Sequence, residues 1–185
     1  MISGYVNAKN SNEALLLFSK MWISPGLSVD PFSLSIALKV CALDFNLSYG
    51  KSLHGYLVKS GFVNSVFVGS ALLDMYTKFG EIEQGIKVFD EMPIKNVVSW
   101  TAIITGLVHG GFYKKGLVYL SEMRKSGVRY DSYTLATVLK ACAYLGALNF
   151  GREIHTHTIK RGFNDTPFVA NSLSTMYNKC GMLSS

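Results

Sequence analysis

The feature that most constrains this chain is a self-similarity at an offset of 101 residues. SLSIALKVCA (33–42) returns as TLATVLKACA (134–143), and Gly50, His54, Lys59 and the pair Gly61-Phe62 return as Gly151, His155, Lys160 and Gly162-Phe163. The offset continues through Phe67-Val68 and Phe168-Val169, and DMYTKFG (74–80) answers TMYNKCG (175–181). A spacing of 101 residues exceeds any single solenoid unit, so it is a composite of smaller ones.

The stretch 66–96, VFVGSALLDMYTKFGEIEQGIKVFDEMPIKN, shows the smaller unit. Val68, Leu72, Met75 and Phe79 recur at steps of three and four, the period of an amphipathic helix. Gly80 supplies a position where left-handed backbone carries no Cβ penalty, so the first helix can stop there. Ile82, Ile86 and Phe89 repeat the pattern, and Pro93 forbids a long continuation. The result is a helical hairpin of about thirty residues, too small to bury two apolar faces without neighbours. The unit bounds that follow are 31–65, 66–96, 97–131 and 132–166, whose first three span the offset. A partial unit lies at 1–30 and another at 167–185.

Composition narrows the class further. Hydrophobic residues make up 49% of the chain, enough to bury faces of many short helices, and the four prolines fall at or near expected helix ends. No apolar run approaches the roughly twenty residues of a membrane span. The net charge is +6, and fourteen of the eighteen cations are lysine. A moderate basic excess suits a nucleic-acid partner through counterion release, and equally suits a solvated lysine-rich helical surface.

Nothing in the sequence points to catalysis or a cofactor. The three cysteines form no CxxC pair and none of the spacings of a zinc site. Cys41 and Cys142 are copies of one position beside alanine and read as small packing residues, as does Cys180 opposite Phe79 in the register. His54, His155 and His157 lack an acidic or cysteine companion and read as ordinary helix residues. No GxSxG, HExxH, HxE…CxxC or P-loop pattern occurs.

From its start the chain enters mid-pattern, since MISGYV aligns with IITGLV (103–108). A helix is expected from about Asn12 to Ile23 through Ala14, Leu17, Phe18 and Met21. The first thirty residues contain no arginine and hold Glu13 and Asp30, unlike a transit or signal peptide. The turn Asp44-Phe45-Asn46 lacks glycine, and Asn46 is the residue expected to close it in left-handed backbone. Helices follow at about Val98 to His109 and Tyr113 to Ser126, and about eleven are expected in all. Breaks are expected near Asn10, Gly80, Gly111, Gly146 and Gly181. Neither end carries a polar capping helix, which predicts exposed apolar end faces open to self-association.

Taken together, the 35-, 31- and 35-residue units with VVSWTAIITG, VLKACA, GREIHTHTIKRGF, FVGSALLDMYTKFG and KVFDEMPIKN resemble the pentatricopeptide repeat family. They resemble more narrowly its plant subclass with alternating P, L and S repeat types. On that resemblance 1–30 is a partial P repeat, 31–65 L, 66–96 S, 97–131 P, 132–166 L and 167–185 a truncated S. The tetratricopeptide signature is missing, while Phe45 at a turn and Lys9-Asn10 depart from the pattern.

The resemblance implies an all-α, right-handed α-solenoid whose first helices line a basic groove. It implies a single-stranded RNA partner in mitochondria or chloroplasts, about one nucleotide per repeat, no membrane and no cofactor. The fifth and last residues of each repeat would choose the base: Ser70 with Asn96, Thr101 with Asp131, Ser35 with Ser65, Ala136 with Thr166, and the lone Asn171 and Asp30. The second residues, Phe32, Phe67, Val98, Tyr133 and Phe168, would pack on base faces. Lys78 and Lys179, at position thirteen, would meet phosphates, with His109 at the matching place between them. In the family Ser70/Asn96 reads adenine, Thr101/Asp131 guanine and Asn171 a pyrimidine, while the two L units discriminate poorly.

Two function classes stay open. One is a sequence-specific RNA-binding module of an organellar RNA-processing or editing factor, working beside other RNA-editing proteins. The other is a protein-interaction scaffold on the same geometry, or a truncated copy that no longer acts. Relatives in this subclass often carry a zinc-dependent cytidine deaminase domain, which these 185 residues do not include, so a non-catalytic chain without metal is expected.

Overall fold

The computed structural model describes residues 16, 18–20, 30–44 and 46–181, and among them every regular element is helical. Leu16 and Phe18 to Lys20 are helical, whereas the expected break near Asn10, most of the expected 12–23 helix and Lys9-Asn10 lie outside the described residues. Nine α-helices follow: α1 Pro31–Leu43, α2 Leu47–Ser60, α3 Val66–Lys78, α4 Ile82–Glu91, α5 Val97–His109, α6 Tyr113–Lys125, α7 Ser132–Leu145, α8 Leu148–Lys160 and α9 Pro167–Lys179. A 3₁₀ turn, Phe62–Asn64, sits between α2 and α3. The architecture is that of an α-solenoid built from helical hairpins, α1 with α2, α3 with α4, α5 with α6 and α7 with α8.

Local chemistry starts and stops these helices. Asp30, Asn46, Asn96 and Asp131 are N-caps whose side-chain oxygens accept from the backbone N–H of Ser33, Tyr49, Ser99 and Thr134. Asn96 and Ser99 form a reciprocal capping box. Pro31 and Pro167 stand in the first turn, where a missing N–H costs nothing. Gly80, Gly111, Gly146 and Gly181 all have positive φ, between 63° and 82°, at the expected breaks. The turn at 44–46 is different. Asn46 has φ −97°, so it does not close the turn in left-handed backbone; it opens α2 as a cap instead. Phe45 lies outside the described residues.

Two compact units divide the chain, Met1–Lys95 and Asn96–Ser185. In the first, α1 packs most extensively on α3, and α4 closes on α3. Leu34, Leu38, Cys41, Leu72 and Met75 are fully buried there. In the second, α7 is central, packed against α5, α6, α8 and α9, with Leu135, Val138, Leu139 and Cys142 fully buried.

First and second helices differ for a physical reason. A first helix such as α7 is flanked by neighbouring first helices and by its own hairpin partner, so nine of its fourteen residues are buried. A second helix buries one face only: α8 buries Gly151, Ile154 and Thr158. At Gly151 a Cβ would lie 2.6 Å from Met176 Sδ, and Gly50 meets Met75 in the same way 101 residues earlier. Glycine at that register position lets the second helix approach the next first helix closely.

Candidate nucleic-acid interface

At about 100° per residue, positions nine and thirteen of a helix each fall within roughly 20° of position two, one on either side. On the first helices the residues of this stripe are exposed or half-buried. In the first compact unit it carries Phe32, Lys39 and Leu43 on α1, and Phe67, Asp74 and Lys78 on α3. In the second it carries Val98, Thr105 and His109 on α5, Tyr133, Lys140 and Tyr144 on α7, and Phe168, Thr175 and Lys179 on α9. All five second residues are exposed, from 43% for Tyr133 to 74% for Phe67. A large apolar side chain on a core-forming helix is normally turned inward, so five consecutive exceptions at one register position need another cause.

Within the second unit the rings already stack. Tyr133 and Phe168 are parallel within 5°, with centroids 5.4 Å apart, a favourable aromatic pairing. At the other end of α7, Tyr144 stacks on Tyr113 of α6 at 4.7 Å, and Lys179 Nζ of α9 sits 4.1 Å from the Tyr144 centroid. The two lysines expected at phosphates therefore differ. Lys179 rests on an aromatic face, whereas Lys78 Nζ bonds Asp74 Oδ2 at 2.8 Å, one turn back, which offsets its charge.

The fifth residues lie beside the stripe. Ser35 is buried and its hydroxyl donates to Phe32 O at 2.8 Å. Ser70 is 6% exposed, and its Oγ has no hydrogen-bond partner among the described residues. A buried hydroxyl left in that state costs on the order of 1–3 kcal/mol until something meets it. Thr101 is half-buried, Ala136 is buried, and Asn171 is exposed.

The residue that ends each repeat is also the N-cap of the helix that opens the next, a dual role the sequence pattern did not disclose. Asp30, Asn96 and Asp131 accept from the third residue of that helix at 2.6, 3.0 and 2.8 Å. The Ser33 N–H holds the Asp30 carboxyl below its ordinary range. Ser65 and Thr166 make no side-chain cap; Thr166 Oγ1 donates back to Phe163 O. In the second unit Asp131 and Thr101 are joined through Thr134, whose Oγ1 is 2.8 Å from both Asp131 Oδ1 and Thr101 Oγ1. Ser70 belongs to the first compact unit and Asn96 opens the second.

Lys39 and Lys140 are exposed at position nine, on the stripe with Phe32 and Tyr133. Neither stands at a second, fifth, thirteenth or last position of its repeat, and only the 101-residue offset relating them marks the pair in the sequence. His109, near Lys140, is held below its ordinary pKa by burial and then by that cation. Cys41 and Cys142 are buried, and burial raises each thiol to about 12.

A separate cleft of about 400 Å³ opens between α6 and α8 on the second helices, with Leu120, Tyr130 and Ile154 as its apolar walls. Its Arg124 is bonded to Glu153 at 2.6 Å, and burial with Arg124 lowers the His157 pKa. None of the fifth, last or second residues reaches it. Among the described residues no group of three or more His, Cys, Asp or Glu is gathered as a metal site, and no helix is long and apolar enough to cross a membrane.

The PPR repeat family model matches residues 95–143, and the PPR repeat model matches 1–23 and 70–97. A putative pentatricopeptide repeat-containing protein of Arabidopsis thaliana is 54% identical over 182 residues, covering 98% of this chain and 26% of its own. Another from the same plant, named as mitochondrial, is 37% identical over 183 residues, covering 99% of this chain and 29% of its own. The chain thus spans about a quarter of such relatives. Among solved structures, the pentatricopeptide repeat protein PPR10 in complex with an 18-nt psaJ RNA element superposes with a TM-score of 0.77 at 19% identity, over 95% of this chain and 26% of that one. Nuclear proteinaceous RNase P 2 from Arabidopsis thaliana gives 0.72 at 15% identity, over 95% and 40%.

Proposed function

Because this chain belongs to the pentatricopeptide repeat family, we propose that it is a sequence-specific single-stranded RNA-binding module, part of an organellar RNA-processing or editing factor. The observation that carries this reading is the exposed row at the second position of five first helices, Phe32, Phe67, Val98, Tyr133 and Phe168. Apolar and aromatic faces repeated once per repeat suit unstacked bases, because every base has a π-face and single strands leave it open. The short polar residues beside the row, Ser70, Thr101 and Asn171, meet base edges, and exposed Lys39, Lys140 and Lys179 meet phosphates. The PPR10 complex supports an RNA partner, and the mitochondrial designation of one relative supports an organellar location.

On this reading the units are L at 31–65, S at 66–96, P at 97–131 and L at 132–166. The preferred RNA core is x-A-G-x-pyrimidine. The first x faces 31–65, adenine meets Ser70 and Asn96, and guanine meets Thr101 and Asp131. The second x faces Ala136 and Thr166, which offer a methyl group and an occupied hydroxyl.

Titration of single-stranded RNA carrying this core, with Phe67→Ala and Phe168→Ala beside wild type, tests the reading. Each variant should lose about 1–3 kcal/mol of binding, the worth of one stacked base. Phe112, exposed but outside the row, supplies the control. An equal loss for Phe112→Ala, or no RNA binding by the wild-type chain, would refute it.

A further inference from the structure

We propose that Thr134 is a specificity-determining positioning residue: it turns the hydroxyl of Thr101 into a pure hydrogen-bond acceptor, so that unit 97–131 offers an acceptor-only edge to its base. The proposal rests on the reading of Thr101 and Asp131 as a base-selecting pair, and it explains how that pair selects.

Counting protons fixes the direction of each bond. Thr134 is fully buried, and its Oγ1 lies 2.8 Å from Asp131 Oδ1 and 2.8 Å from Thr101 Oγ1. A carboxylate accepts only, and a hydroxyl has one proton to give. The Thr134 proton therefore goes to Asp131, and the Thr134–Thr101 bond can form only if Thr101 donates. With its proton spent inward, Thr101 keeps lone pairs alone for a ligand. Asp131, which also accepts the Thr134 backbone N–H at 2.8 Å, has lone pairs alone as well.

Two neighbouring acceptors select a base edge with two neighbouring donors. Guanine has them, in N1–H and the 2-amino group. Adenine and cytosine each place an acceptor nitrogen beside their amino group, and uracil flanks its one N–H with carbonyls. A buried acceptor facing another acceptor is strongly penalised, so rejection of the wrong base is sharper than a freely turning hydroxyl allows. Ser70 shows the contrast. Its Oγ has no partner among the described residues, so its proton is uncommitted there and it can donate or accept as adenine requires.

Fluorescence anisotropy of the full chain with RNA carrying the x-A-G-x-pyrimidine core provides the test. Each base in turn, then inosine and 2-aminopurine, replaces the guanine. Wild type should favour guanine over adenine by about tenfold or more, within the range of a good base-edge contact. Inosine, lacking the amino donor, and 2-aminopurine, whose N1 accepts, should both bind more weakly than guanine. Thr134→Val keeps the side-chain shape and the backbone cap but frees the Thr101 proton. It should reduce the guanine preference to within about threefold by admitting adenine, whereas Thr134→Ser should retain it. If Thr134→Val does not fold, the wild-type analogue series decides: 2-aminopurine bound as tightly as guanine would overturn the acceptor-only edge. Asp131→Asn separates the two levels of the claim. If it moves preference toward adenine while Thr134→Val keeps full guanine preference, the role of Thr134 is wrong and the pair stands. If neither wild type nor Asp131→Asn distinguishes bases at that position, the pair is wrong and the role of Thr134 falls with it.

Discussion

His54 Nδ1 lies 2.9 Å from Tyr76 Oη, joining α2 to α3, and 101 residues later His155 Nδ1 lies 2.8 Å from Tyr177 Oη. Each pair also meets edge to face, with centroids 5.5 and 5.6 Å apart. These histidines are therefore not ordinary helix residues. Each links a second helix to the following first helix.

Burial of His54 makes stability depend on pH. Burial lowers the His54 pKa below its ordinary 6.5, with Glu91 opposing more weakly, while burial raises the Tyr76 pKa and keeps the phenol protonated. A histidine depressed in the fold contributes stability that is intact above 6.5 and is lost as pH falls from there through the folded value, because the unfolded chain binds the proton first. His109 and His157 are depressed too and add to the same slope. Thermal melts should show a falling Tm below about pH 6.5, and His54→Gln should flatten part of that slope. A slope unchanged in His54→Gln would count against the His54 contribution.

Close approach at Gly151 predicts opposite outcomes for two glycine substitutions. Gly151→Ala drives a methyl into Met176 and should cost about 1–3 kcal/mol as overpacking. Gly55, exposed in the middle of α2, has nothing within 4 Å of a built Cβ, so Gly55→Ala should stabilise by about 0.5–1 kcal/mol through helix propensity. Denaturant titration of the two variants checks the sign of each.

Charge at the stripe should matter more than charge elsewhere. Lys140→Ala should weaken binding to every RNA sequence alike and reduce the steepness of the salt dependence by about 0.7, one phosphate of a single strand. Lys87, on the second helix α4, lies off the stripe, and Lys87→Ala should leave the salt slope nearly unchanged. Equal slopes for both variants would mean that charge acts without a groove.

Thiol reactivity should separate the cysteines. Cys41 and Cys142 are buried with thiols raised to about 12, so almost no thiolate is present at neutral pH. Cys180 is half-buried at the end of α9, its Sγ 3.5 Å from Cys142 O. Mass spectrometry after brief alkylation of the native chain should find the adduct on Cys180, with Cys41 and Cys142 reacting only after denaturation.

The sequence by itself determined the helical class and the glycine breaks at Gly80, Gly111, Gly146 and Gly181. Those features follow from local rules: three-and-four periodicity, glycine where φ must be positive and proline where a helix starts or stops. The exposed second-residue row was also legible, because recurrence at one register position marks a shared surface. Tertiary structure decided what those residues do to one another. Lys179 of α9 rests on Tyr144 of α7. Tyr133 stacks on Phe168, and Thr134 sets the proton direction between Thr101 and Asp131. Most of these partners stand some thirty-five residues apart on adjacent first helices, beyond the reach of any local pattern. Which atoms meet there depends on how closely neighbouring helices pack, and that spacing is set by contacts such as the bare Gly151 backbone against the Met176 side chain.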